Sequence, residues 1–204
     1  MAPPALFDDE PASTREAIME ATYRALCTHG YADLTIQKIG DEFTKSKSLV
    51  YHHYDGKDEL LLDFLEFMLE RFEADVIGDG AADAADHLEA LLDHVVPETL
   101  GEDRAAFRRA MIALRAQAAH DDAYRDHFSR SDALFHDHLA GLIERGVEDG
   151  SFREVDPDRV ASFLLTAIDG AMLRRATTDN EAAARETRRE LDAYLAARLL
   201  ADDR

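Results

Sequence analysis

The chain has 204 residues, of which 43 are acidic and 23 are lysine or arginine, giving a formal net charge of −20. No run approaches the roughly 18 uninterrupted apolar residues of a membrane span, and the acidic, proline-containing start is unlike a signal peptide, so we expect a cytoplasmic protein without membrane partners. Cys27 is the single cysteine, which excludes an internal disulfide and zinc sites built on several cysteines.

The first twelve residues show no apolar periodicity. Three prolines surround a short acidic run, so we predict a flexible acidic tail over residues 1–12. Ser13 and Glu16 then have the spacing of a capping box, which predicts the start of a first helix. Gly30 is suited to the left-handed conformation that follows a helix and predicts where this one ends.

Three more helices are predicted in the next part of the chain. A short helix follows Thr35, whose hydroxyl can cap it, and a second short helix follows Ser46 and ends near Tyr54. A longer helix begins at Lys57 and, over about residues 57–77, can connect two domains rigidly. Its apolar stripe consists of Leu60, Leu61, Phe64, Leu65, Met68 and Phe72.

The remainder of the chain is also predicted to be helical. Gly78 and Gly80 mark a boundary loop, and strand-like alternation of useful length is absent from the sequence. Further helices are expected over residues 81–96, 103–119, 122–149, 157–177 and 181–201. The predicted fold is therefore all-α, with a small domain over residues 13–56 and a larger one over residues 57–204.

The positive charge is unevenly distributed along the chain. All four lysines, Lys38, Lys45, Lys47 and Lys57, lie between residues 35 and 57. Only three acidic residues oppose them there, so this window carries +1 while the other 181 residues carry −21. An acidic protein that keeps one region free of acid has the charge pattern of an anion-facing surface there, although chance clustering of a rare residue type would look the same. The overall acidity resembles that of proteins from salt-loving, halophilic organisms.

The same window contains the ingredients of a helix-turn-helix between Thr35 and Tyr54. Two short helices are joined by a turn of a few residues, and the second opens at Ser46 and is rich in polar side chains. In such a motif the first helix crosses the DNA backbone while the second lies in the major groove.

Residues 14–61 resemble the N-terminal DNA-binding domain of TetR-family repressors along their whole length. The most specific portion is Ser46–Tyr54, SKSLVYHHY, which is similar to the family's recognition-helix signature. The chain departs from the family pattern in the turn, where Thr44 and Lys45 replace the usual glycine and apolar residue. The resemblance implies a DNA-binding domain over residues 13–56 and a regulatory and dimerisation domain over residues 57–204.

The resemblance also implies the contacts with double-stranded DNA at a palindromic operator. Phosphate contacts are implied for Thr35, Lys47, Tyr51, His53 and Lys57. Base-edge contacts are expected from Gln37, Lys45, Ser48, Leu49 and His52, with Ser46 at the start of the recognition helix. Two alternatives stay open, because Leu49 could instead belong to the core and His52 could be a solvated side chain.

Two C-terminal helices carry extensive apolar surface. The TetR resemblance implies that they pack against their symmetry mates in a homodimer. The interface residues expected from this are Phe163, Ala167, Gly170, Ala171, Leu191, Tyr194, Leu195 and Leu199. Residues 141–177 also resemble, more weakly, the C-terminal region of choline-sensing BetI-like relatives.

Aromatic and polar residues at helical spacing are candidates for a small-molecule effector pocket. They are Phe107, Met111, Leu114, Phe135, His138 and Leu142, and an ordinary core is the alternative for each. We predict no cofactor and no metal, because His136 and His138 fall on different helix faces and His120 and His127 alone make no site.

The competing functions are an enzyme and a constitutive DNA-binding protein without an effector. No nucleophile elbow, glycine-rich phosphate loop, paired-cysteine motif or HExxH motif occurs in the sequence, so we predict that the chain is not an enzyme. We therefore predict a homodimeric regulator, most simply a repressor that a small molecule releases from DNA.

Overall fold

The computed structural model describes residues 7, 10–77, 83–179 and 182–201. Within these ranges the chain is helical and contains no strand, as the sequence predicted. The helices are α1 Thr14–His29, α2 Ile36–Glu42, α3 Lys47–His53, α4 Lys57–Ile77, α5 Ala84–Val95, α6 Glu102–Gln117, α7 Asp122–Asp149, α8 Pro157–Thr177 and α9 Ala182–Tyr194. In these ranges none of the helices is long and apolar enough to cross a membrane.

The chain divides into two compact units. Unit 1 comprises Met1–Val76 and Gly101–Ser129, and unit 2 comprises Ile77–Leu100 and Arg130–Arg204. This division differs from the predicted boundary at residue 56, because α4 and α6 complete the core around α1. The predicted boundary loop at Gly78 and Gly80 lies outside the described residues.

Unit 1 is organised around α1. The hydroxyl of Ser13 accepts a hydrogen bond from the Glu16 amide at 3.0 Å, and the Glu16 carboxylate accepts one from the amide of Ala12 at 2.8 Å, so the predicted cap forms. Gly30 ends the helix with a φ of 67°, in the left-handed region that favours glycine. Ile18 and Leu26 are fully buried against α4 and its neighbours.

The predicted flexible tail is anchored at one residue. Phe7 is only 8% exposed, and its ring lies 5.5 Å from that of Tyr23 and 5.9 Å from that of Phe67. A tail that is free throughout is therefore wrong at Phe7, because this side chain buries its ring in the core of unit 1.

Unit 2 packs α8 against α9, and this packing buries part of the predicted dimer interface. Four of the expected interface residues are already buried within one chain, so they have little surface to offer a partner. They are Ala171, Leu191, Leu195 and Leu199, each at most 7% exposed. Periodicity identified an apolar face correctly, but the face is covered by this chain's own helices.

The C-terminal end of the last helix differs from the predicted continuous helix over 181–201. After α9 the chain makes a π-helical turn, Leu195–Leu199, which closes with a hydrogen bond from the Leu200 amide to the Leu195 carbonyl at 2.8 Å. The amide of Arg153 then donates to the carbonyl of Leu199 at 2.7 Å. The end of the helix is thereby joined to the loop between α7 and α8.

Two glycines on α7 provide a matched test of this packing. A methyl group at Gly146 would overlap the buried ring of Phe152, whereas one at Gly141 would meet only Arg145 Nη1, at 3.7 Å. We expect Gly146→Ala to lower the free energy of unfolding by about 1–3 kcal/mol through overpacking. Gly141→Ala should raise it by about 0.5–1 kcal/mol through helix propensity. Urea unfolding of both variants checks this, and equal effects would contradict the described packing.

Candidate nucleic-acid interface

Helix α2 is held by its cap and by a contact from α1. The hydroxyl of Thr35 accepts a hydrogen bond from the Lys38 amide at 3.2 Å, as the sequence predicted. At the other end, Arg24 Nη2 donates to the carbonyl of Glu42 at 2.8 Å. Ile39 is fully buried, so this short helix is fixed at both ends and along its inner face.

Two buried residues anchor helix α3 to unit 1. Val50 is fully buried and Tyr54, which follows the last turn, is 8% exposed. The hydroxyl of Tyr54 donates to Asp63 Oδ2 on α4 at 2.5 Å. Arg15 on α1 also donates to this carboxylate, with Nη2 2.7 Å from Oδ1, so Asp63 joins α1, α4 and the end of α3.

The charge of Asp63 is maintained by these partners. Burial alone would raise the pKa of its carboxyl, but the hydrogen bonds from Arg15 and Tyr54 outweigh burial and hold that pKa below its usual range. Burial and the bond to Asp63 raise the pKa of Tyr54, so the phenol stays a donor at neutral pH.

Helix α3 follows Ser46, as predicted, but the side chain of Ser46 does not cap it. Ser46 occupies the N-cap position, but its hydroxyl makes no capping hydrogen bond and lies 2.8 Å from the hydroxyl of Ser48. The turn itself uses no left-handed residue, since φ is −79° at Phe43 and −66° at Ser46, and Thr44 and Lys45 do not have positive φ. Thr44 therefore fits where the family usually has glycine.

The predicted DNA contacts share one property, which is exposure around α2, the turn and α3. Nine of them are exposed: Thr35, Gln37, Lys45, Ser46, Lys47, Ser48, Tyr51, His52 and His53. Tyr51 is 53% exposed, so its side chain is accessible to another molecule. Leu49 is half-buried and packs on the core of unit 1, which favours the packing alternative for that residue.

The lysines of this region differ in their partners. Lys47 forms an ion pair with Asp41, and the ammonium of Lys57 lies 4.5 Å from the centre of the Tyr31 ring. The ammonium of Lys38 donates to the carbonyl of Asp33 at 2.8 Å. Within the described ranges, Lys45 forms no ion pair and is the lysine most available to a ligand.

Sequence reasoning did not identify Tyr31, Asp41 or Asp63 as part of this region. Asp41 and Lys47 are six residues apart across a turn, a spacing that no helix or strand rule brings together. Tyr31 and Asp63 come from elements outside the motif, so only the fold shows that they adjoin it.

The six predicted effector-pocket residues fall in both units. Phe107, Met111 and Leu114 belong to unit 1, and Phe135, His138 and Leu142 belong to unit 2. Leu114 and Leu142 are at most 1% exposed, which favours the core alternative for these two. His138 lies with its ring 5.7 Å from that of His87, and burial followed by the influence of His87 and Arg145 lowers the pKa of His138.

In the part of the chain that the structure describes, no group of three or more His, Cys, Asp or Glu side chains is arranged to hold a metal ion.

Comparison with known proteins places this geometry among regulators. The family model described as bacterial regulatory proteins, tetR family, matches residues 18–64. The model described as BetI-type transcriptional repressor, C-terminal, matches residues 84–200. The HTH-type transcriptional repressor AcnR of Corynebacterium glutamicum is 24% identical over 170 residues, covering 83% of this chain and 85% of that protein. The repressor KstR2 of Rhodococcus jostii is 27% identical over 172 residues, covering 80% and 81%.

Solved structures of transcriptional regulators also match this chain. A TetR transcription regulator from Haloarcula marismortui is 38% identical, with a TM-score of 0.80, covering 91% of this chain and 97% of that one. The choline complex of a protein from Saccharomonospora viridis is 21% identical, with a TM-score of 0.77 and coverage of 92% and 97%, and shows the same fold.

An anchored short helix that presents polar side chains, in a chain with this fold, defines a helix-turn-helix DNA-binding protein of the transcription-regulator class. The chain belongs to the TetR family of transcriptional regulators, because the BetI-type model covers more than half of it and the Haloarcula protein is 38% identical over most of both chains. Members of this family are not enzymes, which sets the enzyme alternative aside.

The different caps of α2 and α3 predict different costs of substitution. Thr35→Ala removes a capping hydrogen bond and should lower the free energy of unfolding by about 1 kcal/mol. Ser46→Ala removes a hydroxyl that caps nothing and should change it by no more than about 0.5 kcal/mol. Urea unfolding followed by circular dichroism measures both, and a larger loss at Ser46 than at Thr35 would refute the assigned caps.

Proposed function

We propose that this protein is a homodimeric repressor that binds a palindromic operator through the surface formed by α2, the turn and α3, and that a small molecule releases it. The observation that carries the proposal is the exposure of one continuous polar surface around an anchored helix. Val50 and Tyr54 fix that helix to unit 1, while Lys45, Lys47 and Tyr51 face outward. Repression is supported by the repressor relatives AcnR and KstR2.

The two kinds of DNA contact are assigned to different parts of this surface. Thr35, Lys47, Tyr51, His53 and Lys57 contact phosphates, which set the register of the protein on the duplex. Gln37, Lys45, Ser48 and His52 face the base edges, where they discriminate between sequences. Leu49 contributes mainly to packing.

The combined substitution of Lys47 and Tyr51 tests the DNA surface. We expect Lys47→Ala with Tyr51→Ala to weaken binding about 100-fold or more, because two phosphate contacts are lost from exposed side chains. The probe is a labelled duplex recovered by selection from random DNA with the wild-type protein, and fluorescence anisotropy gives the Kd. Arg189→Ala, which removes one positive charge from an exposed position of α9, is the control and should leave the Kd unchanged. Undiminished binding of the double variant would show that DNA is bound elsewhere.

Dimerisation is supported by the way a helix-turn-helix reads a palindrome and by an apolar stripe on α8. One recognition helix reads one half-site, so a palindrome requires two copies. Phe163 is 46% exposed and Leu173 is 49% exposed, and the ring of Phe163 lies 4.5 Å from that of Tyr194. Ala167 and Gly170, which lie between Phe163 and Leu173 in the sequence, are half-buried. An apolar surface on so acidic a chain fits a second copy of the same chain.

A charge introduced into this stripe tests the dimer. We expect Phe163→Arg to weaken self-association by about 2–4 kcal/mol, because two arginines would face one another in an apolar interface. Sedimentation equilibrium at micromolar protein should then report a monomer. Glu148→Arg, at an exposed position of α7, is the control and should remain a dimer. A Phe163→Arg protein that is still dimeric would exclude this surface.

The effector part of the proposal is supported by the BetI-type match and by the choline complex of the Saccharomonospora protein. Within unit 2, Phe135 and His138 are half-buried and supply an aromatic wall and a polar group. An effector must bind the DNA-free form more tightly than the DNA-bound form. Choline is the first compound to test, and an effector must both raise the Tm of the free protein and raise the Kd for the selected duplex.

A constitutive regulator is the second candidate, and the complete burial of Leu114 and Leu142 is the observation that favours it. Buried side chains of this kind usually belong to closely packed cores, which contain few voids large enough for a ligand. Compounds that leave both the Tm and the Kd unchanged would support this alternative.

A further inference from the structure

Lys47 is the first residue of the recognition helix, and in the structure its charge is directed back onto α2. Its ammonium forms an ion pair with Asp41, and both side chains are about half exposed, at 55% and 49%. The aliphatic part of Lys47 extends over Gly40, where a methyl group would lie 3.5 Å from the Lys47 Cγ atom. The lysine that faces DNA in the proposed function is thus already paired within the protein.

Each member of this pair is at an unfavourable end of its own helix. Asp41 is in the last turn of α2, where the helix dipole disfavours a negative charge and that turn contains no basic residue. Lys47 begins α3, where the dipole disfavours a positive charge and no acidic residue of α3 compensates. The neighbouring carboxylate, Glu42, has Arg24 Nε at 3.7 Å, which leaves Lys47 as the partner of Asp41.

We infer that Asp41 is an internal competitor of DNA phosphate for Lys47, and so limits both the affinity of this protein for DNA and the dependence of that affinity on salt. The inference rests on the proposed function, since it requires that Lys47 contact a phosphate. Asp41 touches no DNA in this scheme. It is a positioning residue that acts through Lys47.

The thermodynamic consequence follows from the exchange of partners. When Lys47 moves to a phosphate, the duplex releases a condensed cation, but the uncovered carboxylate of Asp41 attracts one from solution. Net ion release is therefore smaller than the number of phosphate contacts indicates. The free energy of the broken surface pair is also subtracted from that of binding.

Substituting Asp41 by asparagine removes the competitor while keeping the shape of the side chain. Measured with the selected duplex by fluorescence anisotropy, Asp41→Asn should bind about two- to fivefold more tightly than the wild type. The plot of log K against log salt concentration should become steeper, by at most about 0.9, the contribution of one phosphate contact. A purely structural role of Asp41 would not steepen this plot.

Two comparisons separate this mechanism from the general repulsion between DNA and any nearby acid. Asp55→Asn removes the same charge from the same window, and no ion pair to Asp55 is present in the described part of the chain, so it should change the salt slope much less. In a Lys47→Ala background, Asp41→Asn should have no effect on Kd or slope, because the residue through which it acts is missing. Circular dichroism of each variant confirms that the helices are retained.

The outcomes distinguish failure of the inference from failure of the proposed function. If selection recovers no duplex that the wild type binds, the proposed function fails. If the wild type binds and Asp41→Asn leaves Kd and slope unchanged, or if its effect persists without Lys47, the inference alone is overturned. Lys47→Ala binding as tightly as the wild type would overturn it as well.

Discussion

The position of the recognition helix depends on the two buried residues that anchor it to unit 1. Seven residues make too short a helix to be stable alone in water, so α3 exists because Val50 and Tyr54 are buried in unit 1. The bond from Tyr54 to Asp63 fixes the end of the helix, and Arg15 holds the same carboxylate from α1. Polar residues can then occupy the outer face at no cost to the core, because that face contributes almost nothing to folding.

An acidic protein that binds a polyanion needs local rather than overall attraction. Here the lysines are concentrated in one window, but the fold also gives most of them internal partners: a carboxylate, an aromatic ring and a carbonyl oxygen. Each partner orders a long side chain before DNA arrives and reduces the charge that is free to act. Affinity is thus exchanged for order and for selectivity among anions.

Helix positions could be predicted from the sequence because caps are local. Ser13 and Thr35 accept the capping hydrogen bonds expected of them, and α8 ends at Thr177, where it was predicted to end. The recognition surface stays a prediction, in which resemblance and local charge indicate the same residues. The partners of apolar faces were not predictable, since periodicity shows that Leu191 and Leu199 face something apolar but not whether it belongs to this chain. The pairing of Asp41 with Lys47 depends on the path of a turn, which no pattern of spacing encodes.

The lysine distribution has a chemical consequence. Every side-chain amine of the molecule lies within a window of a few turns, with Lys45 and Lys47 exposed at the start of the recognition helix. An acyl donor that reacts with primary amines would therefore find its side-chain targets on this small area alone. Acylation of these lysines would remove positive charge from the predicted DNA-binding surface and would change no side-chain amine elsewhere in the sequence.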